Sequence, residues 1–383
     1  MGKNKKIVLM VGFILFCLLF GGMMGYLIGK YSPFPKGTGG LQVAMTLVLM
    51  FVCVYLSYFI HIILHEAGHV IFGKATGYKF ISFRILSFLW MKENGTLRLK
   101  RYNIPGTGGQ ALMLPPPKKE GKYPYVWYNL GGVIMNFVTA ILACLLITML
   151  PASSEFLAVF FIIYAVIGIL VGMLNGIPMA VGGIPNDGKN AFSMAKNKLN
   201  YEAFYLQLYL HGLSNQGVSW KDMQIDGKSL MELKIGDEAD YNNTLVATII
   251  LMKVNYYYDL LEFEKAEEIL EGFAKLGNSL NPFLKLEVDS ERLFVELIGK
   301  NRAQRVESIY SKELQAYFKK AKYMPSKKRV LVAYEGLYHC DKKKAEVAYR
   351  KAKEVLAKYP IKGDAMLEEK LLDYTRNCIK SVE

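Results

Sequence analysis

The stretch "FIHIILHEAGHVIFGKATG", residues 59–77, places two histidines and a glutamate inside an apolar run. Ionisable side chains within a membrane span cost at least about 2.5 kcal/mol each on insertion scales, so His65, Glu66 and His69 together call for a shared partner. Residues four apart on a helix lie on one face, so His65 and His69 can present two imidazoles to the same ligand. The stretch therefore predicts a membrane-embedded helix that carries a polar site.

The spacing His-Glu-x-x-His is typical of zinc hydrolases, in which two imidazoles hold one zinc ion. Glu66 follows His65 by about 100° around the helix, where its carboxylate can take a proton from a zinc-activated water. The alternative is a set of polar core residues paired for packing. Because a divalent cation is the simplest shared partner, we predict a single zinc ion. His61, one turn earlier, is interpreted as a polar contact lining the cavity, and its contribution as a ligand stays open.

A catalytic zinc site needs a third protein ligand and an open fourth position. The remaining two histidines lie in the charged half of the chain and are poor candidates. Asp187, in "NGIPMAVGGIPNDGKNAF" (residues 175–192), follows an apolar stretch and is flanked by Pro185 and Gly188. This setting predicts a turn that directs its carboxylate back towards the membrane. The alternative is an ordinary Asp-Gly turn after a helix.

Of the 383 residues, 52% are hydrophobic, and the apolar residues concentrate in the first half, which indicates a membrane-embedded half joined to a soluble half. A membrane-spanning helix needs about 20 apolar residues. Four stretches meet this length: residues 7–28, 41 to the histidine motif, 126–150 and 156–178. We therefore expect an α-helical membrane protein with about four transmembrane helices.

The formal net charge is +14, and many of the basic residues lie in the segment 76–123 and near the amino terminus. The short loop "PASSE" (residues 151–155) has none. The positive-inside rule then predicts a multi-pass protein of the cell membrane with both termini and the segment 76–123 in the cytoplasm. No folded basic motif is visible, so we expect the lipid bilayer, and no nucleic acid, to be the partner of this charge.

The segment 76–123 contains two further patterns. Alternation in "KFISFRILSFLWMKENGTLRLKRY" (residues 79–102) predicts a hairpin with its turn at Glu93-Asn94-Gly95. The following "NIPGTGGQALMLPPP" (residues 103–117) fits either a re-entrant segment that lines a cavity or a surface loop that ends in a stiff proline linker.

From residue 198 onward the chain is charged and its pattern is that of amphipathic helices. Three similar helices carry Ala266, Ala303 and Ala345, about 40 residues apart, which resembles stacked tetratricopeptide hairpins. The alternative is a small helical bundle without a ligand. We predict an N-terminal anchor and loop (1–40), a membrane-embedded core (41–197) and an all-α cytoplasmic domain (198–383). This domain would either dock a protein partner or stiffen the membrane domain.

Three motifs in order resemble the site-2 protease family of intramembrane zinc metalloproteases: His65-Glu66-Ala67-Gly68-His69, Gly132-Val133-Ile134-Met135-Asn136, and Asn175-Gly176-Ile177-Pro178 followed by Pro185-Asn186-Asp187-Gly188. The likeness covers about residues 41–195. The interval from Asn175 to Asp187 is longer than in the compact form of that family, and no substrate-sorting domain is visible.

The resemblance implies a zinc endopeptidase that cleaves a membrane protein or peptide substrate, either in or near a transmembrane segment or in a remnant signal peptide. It implies that zinc is held by His65, His69 and Asp187, and that Glu66 is the general acid and base. It also implies that the active site is lined by Asn136 and Asn175, with the substrate beside Gly108 and Gly109. The alternative function is a catalytically inactive membrane scaffold that recruits a cytoplasmic partner through residues 198–383.

Overall fold

The computed structural model describes residues 21–22, 25–26, 39–93, 95–102, 108–151, 153–181, 184–277 and 280–381. The predicted first span, residues 7–28, lies outside them except for four helical residues. The described part contains thirteen α-helices. The described residues form two compact units. The first comprises those up to Gly68 together with Leu130–Ile177, and the second those of His69–Asn129 and from Pro178 onward.

Three helices are long and apolar enough to cross a membrane: α1 (Gly40–Ala75), α2 (Tyr125–Met149) and α3 (Glu155–Gly176). They coincide with three of the four predicted spans. Large apolar side chains on their surfaces, such as Met45, Phe51 and Ile141, are exposed. Exposed apolar surface on this scale is expected of helices whose solvent is lipid.

Within the first unit, small residues allow the membrane helices to approach closely. A Cβ atom at Gly68 would lie 2.3 Å from the carbonyl oxygen of Gly131, so α1 and α2 are in backbone contact there. A Cβ atom at Gly172 would lie 3.1 Å from the ring of Phe137, which brings α3 against α2. Contacts through small residues are typical of helix packing in membranes, where dispersion forces replace the hydrophobic effect.

The second unit contains a four-stranded antiparallel sheet of order β3-β2-β1-β4. Its strands are β1 (Lys79–Ile85), β2 (Phe88–Glu93), β3 (Thr96–Arg101) and β4 (Gly109–Leu114). The predicted hairpin is β2–β3, with Glu93 opposite Thr96 and Gly95 at a φ of +83°. Strand β4 pairs with β1 and occupies residues for which the sequence suggested a re-entrant or surface loop. Neither alternative anticipated a strand here.

A short hairpin and two helices follow the membrane helix α3. The hairpin pairs β5 (Ala180–Val181) with β6 (Ile184–Pro185). It leads directly into α4 (Asp187–Lys196) and then into α5 (Lys198–Gln216). Helix α5 packs on β4, where a Cβ atom at Gly212 would lie 2.5 Å from Leu114. A second small hairpin pairs β7 (Gln224–Ile225) with β8 (Lys228–Ser229).

The rest of the second unit is helical, as predicted. Its helices are α6 (Thr244–Leu260), α7 (Phe263–Ala274), α8 (Pro282–Ile298), α9 (Ala303–Ile309), α10 (Lys312–Lys320), α11 (Pro325–Ala333), α12 (Lys342–Leu356) and α13 (Lys362–Ser381). Ala266 and Ala345 are buried, but Ala303 begins α9 and is exposed. Because the three alanines do not share one environment, the predicted repeat is not confirmed.

Candidate metal centre

Both motif histidines belong to the unbroken helix α1, so their one-turn spacing is fixed by the helix itself. His65 and His69 are buried, with 7% and 8% of their surface exposed. Together with Asp187 they form a group whose ligand atoms all lie within 4.8 Å of one another. The predicted ligands are thus brought together around one point at the carboxyl-terminal end of α1.

The β5–β6 hairpin accounts for the long interval between Asn175 and Asp187. The hairpin folds the extra residues back on themselves, and the side chain of Asn186 closes it by accepting hydrogen bonds from the backbone N–H groups of Met179 (3.1 Å) and Lys189 (2.9 Å). Asn186 thereby caps α4, and Asp187 is the first residue of that helix. Its carboxylate Oδ2 lies 3.5 Å from Nε2 of His69.

The ring of His69 is oriented by the backbone of α2. Its Nδ1 lies 2.7 Å from the carbonyl oxygen of Tyr128, and because a carbonyl only accepts, Nδ1 carries the proton. The neutral imidazole then has its lone pair on Nε2, the atom that faces Asp187. Outer contacts of this kind fix the tautomer of metal-binding histidines.

His65 belongs to a buried polar chain in the first unit that also includes His61. Its Nδ1 lies 3.0 Å from Nδ2 of Asn136, whose Oδ1 lies 3.3 Å from Nδ1 of His61. The Nε2 of His61 lies 2.9 Å from the carbonyl oxygen of Tyr164 on α3. His61 and Asn136 are both fully buried. The structure thus places His61 behind His65, as a partner of Asn136.

Two glycines make room for these imidazoles. A Cβ atom at Gly132 would lie 2.7 Å from three ring atoms of His65, and one at Gly168 would lie 2.5 Å from Cε1 of His61. Atoms do not approach this closely, so both positions require glycine while the rings remain where they are. The sequence motif Gly132 to Asn136 therefore supplies both the space for His65 and its polar neighbour.

Glu66 is buried next to His65, with 9% of its surface exposed. The other predicted lining residues have different surroundings. Asn175 donates its side-chain N–H to the carbonyl of Val171 in its own helix, at 3.0 Å. Gly109 starts β4 opposite Ile85, and the carbonyl of Gly108 accepts a hydrogen bond from Leu86.

The contacts of Tyr128 and Tyr164 were not predicted from the sequence. In both cases the hydrogen-bonding group is a backbone carbonyl, which every residue possesses. Sequence patterns therefore carry no signal for them.

The donor set fits a zinc ion on chemical grounds. Two imidazole nitrogens and one carboxylate oxygen are ligands that zinc prefers, and three protein ligands leave a position open in tetrahedral coordination. The hydrogen bond from Nδ1 of His69 places the lone pair of the neutral ring on Nε2, 3.5 Å from the carboxylate of Asp187. The site thus combines a suitable ligand set with a buried carboxylate, Glu66, adjacent to it.

Comparison with known proteins identifies no relative from which a function could be transferred. No protein-family model matches the chain. No curated protein matches it. No solved structure matches it.

Proposed function

We propose that the protein is a membrane-embedded zinc endopeptidase of the site-2 protease type. It hydrolyses a peptide bond in or near a transmembrane segment, or in a remnant signal peptide. The observation that carries this proposal is the grouping of His65, His69 and Asp187 at the end of an apolar helix, with the buried carboxylate of Glu66 in the same turn.

His65, His69 and Asp187 would hold the ion, through Nε2 in the case of His69. When bound, zinc supplies a Lewis acid that makes a water molecule acidic enough to react near neutral pH. Glu66 would accept a proton as water attacks the peptide carbonyl and donate it to the amine nitrogen as the C–N bond breaks. Its position beside a ligand, on a different side of the helix, suits a general acid and base rather than a fourth ligand.

Asn136 and His61 would position His65. With both histidines neutral, one arrangement of protons satisfies the whole chain of contacts. His61 donates from Nε2 to the carbonyl of Tyr164, so its Nδ1 accepts from the amide N–H of Asn136. The amide oxygen of Asn136 then faces Nδ1–H of His65, which needs a half-turn of the amide that leaves its shape unchanged. This arrangement leaves the Nε2 lone pair of His65 for the metal.

Strand β4 offers a surface for an extended substrate. Among the described residues it pairs only with β1, so no described strand covers its other edge. A substrate helix must unwind before its peptide bonds can be hydrolysed, and adding a strand to a sheet edge holds the unwound backbone. Gly108 and Gly109 lie at the start of this edge.

The three apolar helices and the basic segment 76–123 support a multi-pass protein of the cell membrane with its termini in the cytoplasm. In this orientation the ion would lie near the cytoplasmic face. The helical second unit would face the cytoplasm, where it could contact a protein partner.

Glu66→Gln tests the mechanism, because glutamine keeps the shape of the side chain but cannot accept the proton. We expect purified Glu66→Gln protein to retain zinc at the wild-type ratio, and cells that carry it to accumulate uncut membrane segments. Quantitative proteomics of membrane fragments, wild type against Glu66→Gln, measures this. Fragment levels equal to those of the wild type would exclude the mechanism.

Asp187→Ala tests metal binding separately from the role of Glu66. It removes one proposed ligand, so we expect the folded protein to contain less zinc after dialysis against a weak chelator. Elemental analysis measures the metal ratio. An unchanged ratio and affinity would reject Asp187 as a ligand and leave the role of Glu66 to be judged separately.

A further inference from the structure

A cavity of about 620 Å³ lies within the second unit. Its wall combines residues of β4, α4, α5, α6, α8 and α13, so elements distant in sequence converge on it. The volume falls within the range of about 300–1,000 Å³ that is usual for ligand sites. We call this space the helical-domain cavity.

The helical-domain cavity is acidic in a chain that is strongly basic. Four carboxyl side chains line it, those of Glu287, Glu291, Asp364 and Glu368. Among its described lining residues there is no lysine or arginine, although the whole chain has a formal net charge of +14. His211 also lines it, and burial lowers the pKa of this imidazole. Such a wall attracts cations and repels anions.

Two cations packed behind the wall offset part of this charge. Lys327 lies 3.0 Å from Glu287 and 3.6 Å from Glu291, and Arg329 contacts Glu291 at 2.8 Å and Glu368 at 2.9 Å. Lys327 and Arg329 thus pair with three carboxyl groups, so acidic groups outnumber basic ones here, while burial raises the pKa of the Glu368 carboxyl.

Asp364 is the fourth carboxyl side chain of the wall, and uncharged groups donate hydrogen bonds to it. It accepts hydrogen bonds from the hydroxyl of Ser214 at 2.6 Å and from the indole N–H of Trp220 at 3.1 Å. Burial raises the pKa of the Asp364 carboxyl. A cation that entered the cavity would stabilise its ionised form.

The cavity also presents amide groups that the fold does not use. The side chains of Gln207 on α5 and Asn255 on α6 line it and have no hydrogen-bond partner among the described residues. A side-chain amide matches the peptide group, because each offers an N–H donor and a C=O acceptor. Amides on two facing helices together with carboxylates suit an extended polypeptide with basic side chains.

We propose that the helical-domain cavity binds a basic polypeptide segment, namely the cytoplasmic flank of a membrane substrate. The identity of this occupant rests on the proposed protease function. Cytoplasmic flanks of membrane spans are rich in Lys and Arg, so a substrate of such a protease carries the charge that this wall attracts. The second unit would then select substrates by the charge of the segment next to the cleaved span.

The first test measures peptide affinity with the full chain in detergent. Two fluorescein-labelled peptides serve as probes, one of repeated Lys-Ser-Gly units and one of repeated Glu-Ser-Gly units. Fluorescence anisotropy should show that the lysine peptide binds, with an affinity that falls as salt is added, and that the glutamate peptide does not. Equal affinity for the two peptides would overturn the proposal.

Lysine substitutions locate the binding. Gln207→Lys and Asn255→Lys place a positive charge in the cavity. Each should lower the affinity for the lysine peptide at least about tenfold, which corresponds to 1.4 kcal/mol. Gln216→Lys is the matched control, because Gln216 lies on the same helix as Gln207 but is exposed and outside the cavity wall. An equal loss of peptide affinity in all three variants would show that the peptide does not bind in this cavity.

Two further measurements separate this proposal from the protease itself. Affinity is measured in the Glu66→Gln background, where no cleavage is expected, so peptide binding does not depend on hydrolysis. In cells, Gln207→Lys and Asn255→Lys should reduce the level of membrane fragments, while Gln216→Lys leaves it unchanged. If the fragment level is unchanged in all three variants while Glu66→Gln abolishes the fragments, the cavity assignment fails and the protease assignment stands.

A rise in peptide affinity on deleting residues 2–6 would assign the cavity to the chain's own basic start and overturn the substrate assignment.

Discussion

At the scale of single residues, the site depends on side chains and carbonyls that orient the two imidazoles. His69 is held by the carbonyl of Tyr128, and His65 lies against the amide of Asn136, which also reaches His61. Such outer contacts typically change metal affinity by about 10- to 100-fold when removed. The protein therefore has a polar chain whose loss should be visible in zinc binding before it is visible in folding.

Asn136→Ala should weaken zinc binding by about 10- to 100-fold, because His65 loses the partner that fixes its tautomer. Asn175→Ala is the matched control, since Asn175 donates only to its own helix backbone at Val171. Competition with a chromophoric chelator measures both affinities. Equal losses in the two variants would show that Asn136 acts through general packing and not through His65.

Candidate site residues with a strong spacing signal could be predicted from the sequence, whereas their hydrogen-bond partners could not. His65, Glu66 and His69 follow from a five-residue motif, and Asp187 from its turn after an apolar stretch. His61 was recognised as a polar contact, but its partners could not be named, because Tyr164 is 103 positions away along the chain. The two residues become neighbours only when the helices pack against each other.

At the scale of elements, Tyr128 connects the candidate metal centre to the sheet. Its carbonyl bonds His69, while its hydroxyl donates to the carbonyl of Ala111 in β4 at 2.8 Å. Its ring also stacks on that of Tyr78, with centroids 4.7 Å apart. One residue of α2 thus contacts both a proposed metal ligand and the strand proposed to bind substrate.

Tyr128→Phe should separate these two roles, because it removes the hydroxyl and keeps the carbonyl. We expect a loss of about 1 kcal/mol, the usual net value of one hydrogen bond, confined to β4. Hydrogen–deuterium exchange should quicken in Gly109–Leu114, with zinc affinity unchanged. Loss of zinc together with faster exchange would indicate that the ring, and not the carbonyl alone, holds His69.

Element prediction succeeded where periodicity was strong. The long apolar runs gave α1, α2 and α3, and alternation gave the β2–β3 hairpin. Strand β4 was missed because glycines and prolines surround it and suggest a loop. Its strand conformation depends on pairing with β1, which includes an irregularity between Phe80 and Ser82. Such pairing is a tertiary effect that local sequence does not encode.

At the scale of the whole molecule, the helical second unit carries buried charge as well as an apolar core. Arg329 is 1% exposed, bonds Glu291 and Glu368, and lies 3.8 Å from the ring centroid of Phe294. The sequence predicted the helices but not this network, because its members come from three separate helices. The exposed Ala303 likewise shows that similar helical segments need not occupy equivalent positions.

Arg329→Met should destabilise the second unit by about 3–5 kcal/mol, because it leaves the buried Glu368 without a cation and Glu291 with only Lys327 at 3.6 Å. Arg350→Met is the matched control: Arg350 pairs with Glu346 at 3.5 Å but its side chain is 75% exposed, so the change should stay within about 0.5 kcal/mol. Thermal unfolding in detergent compares the two. A similar melting temperature for both variants would contradict a structural role for the buried network.

The two glycines behind the imidazoles have an evolutionary consequence. A side chain at position 168 and the ring of His61 compete for the same space, as do a side chain at position 132 and the ring of His65. The residues at positions 61 and 168, and those at positions 65 and 132, should therefore be substituted together during evolution. A relative that has lost His61 can acquire alanine at position 168 if Ala140, whose Cβ would lie 3.1 Å away, shifts by a few tenths of an ångström. One that keeps the imidazole must keep glycine there.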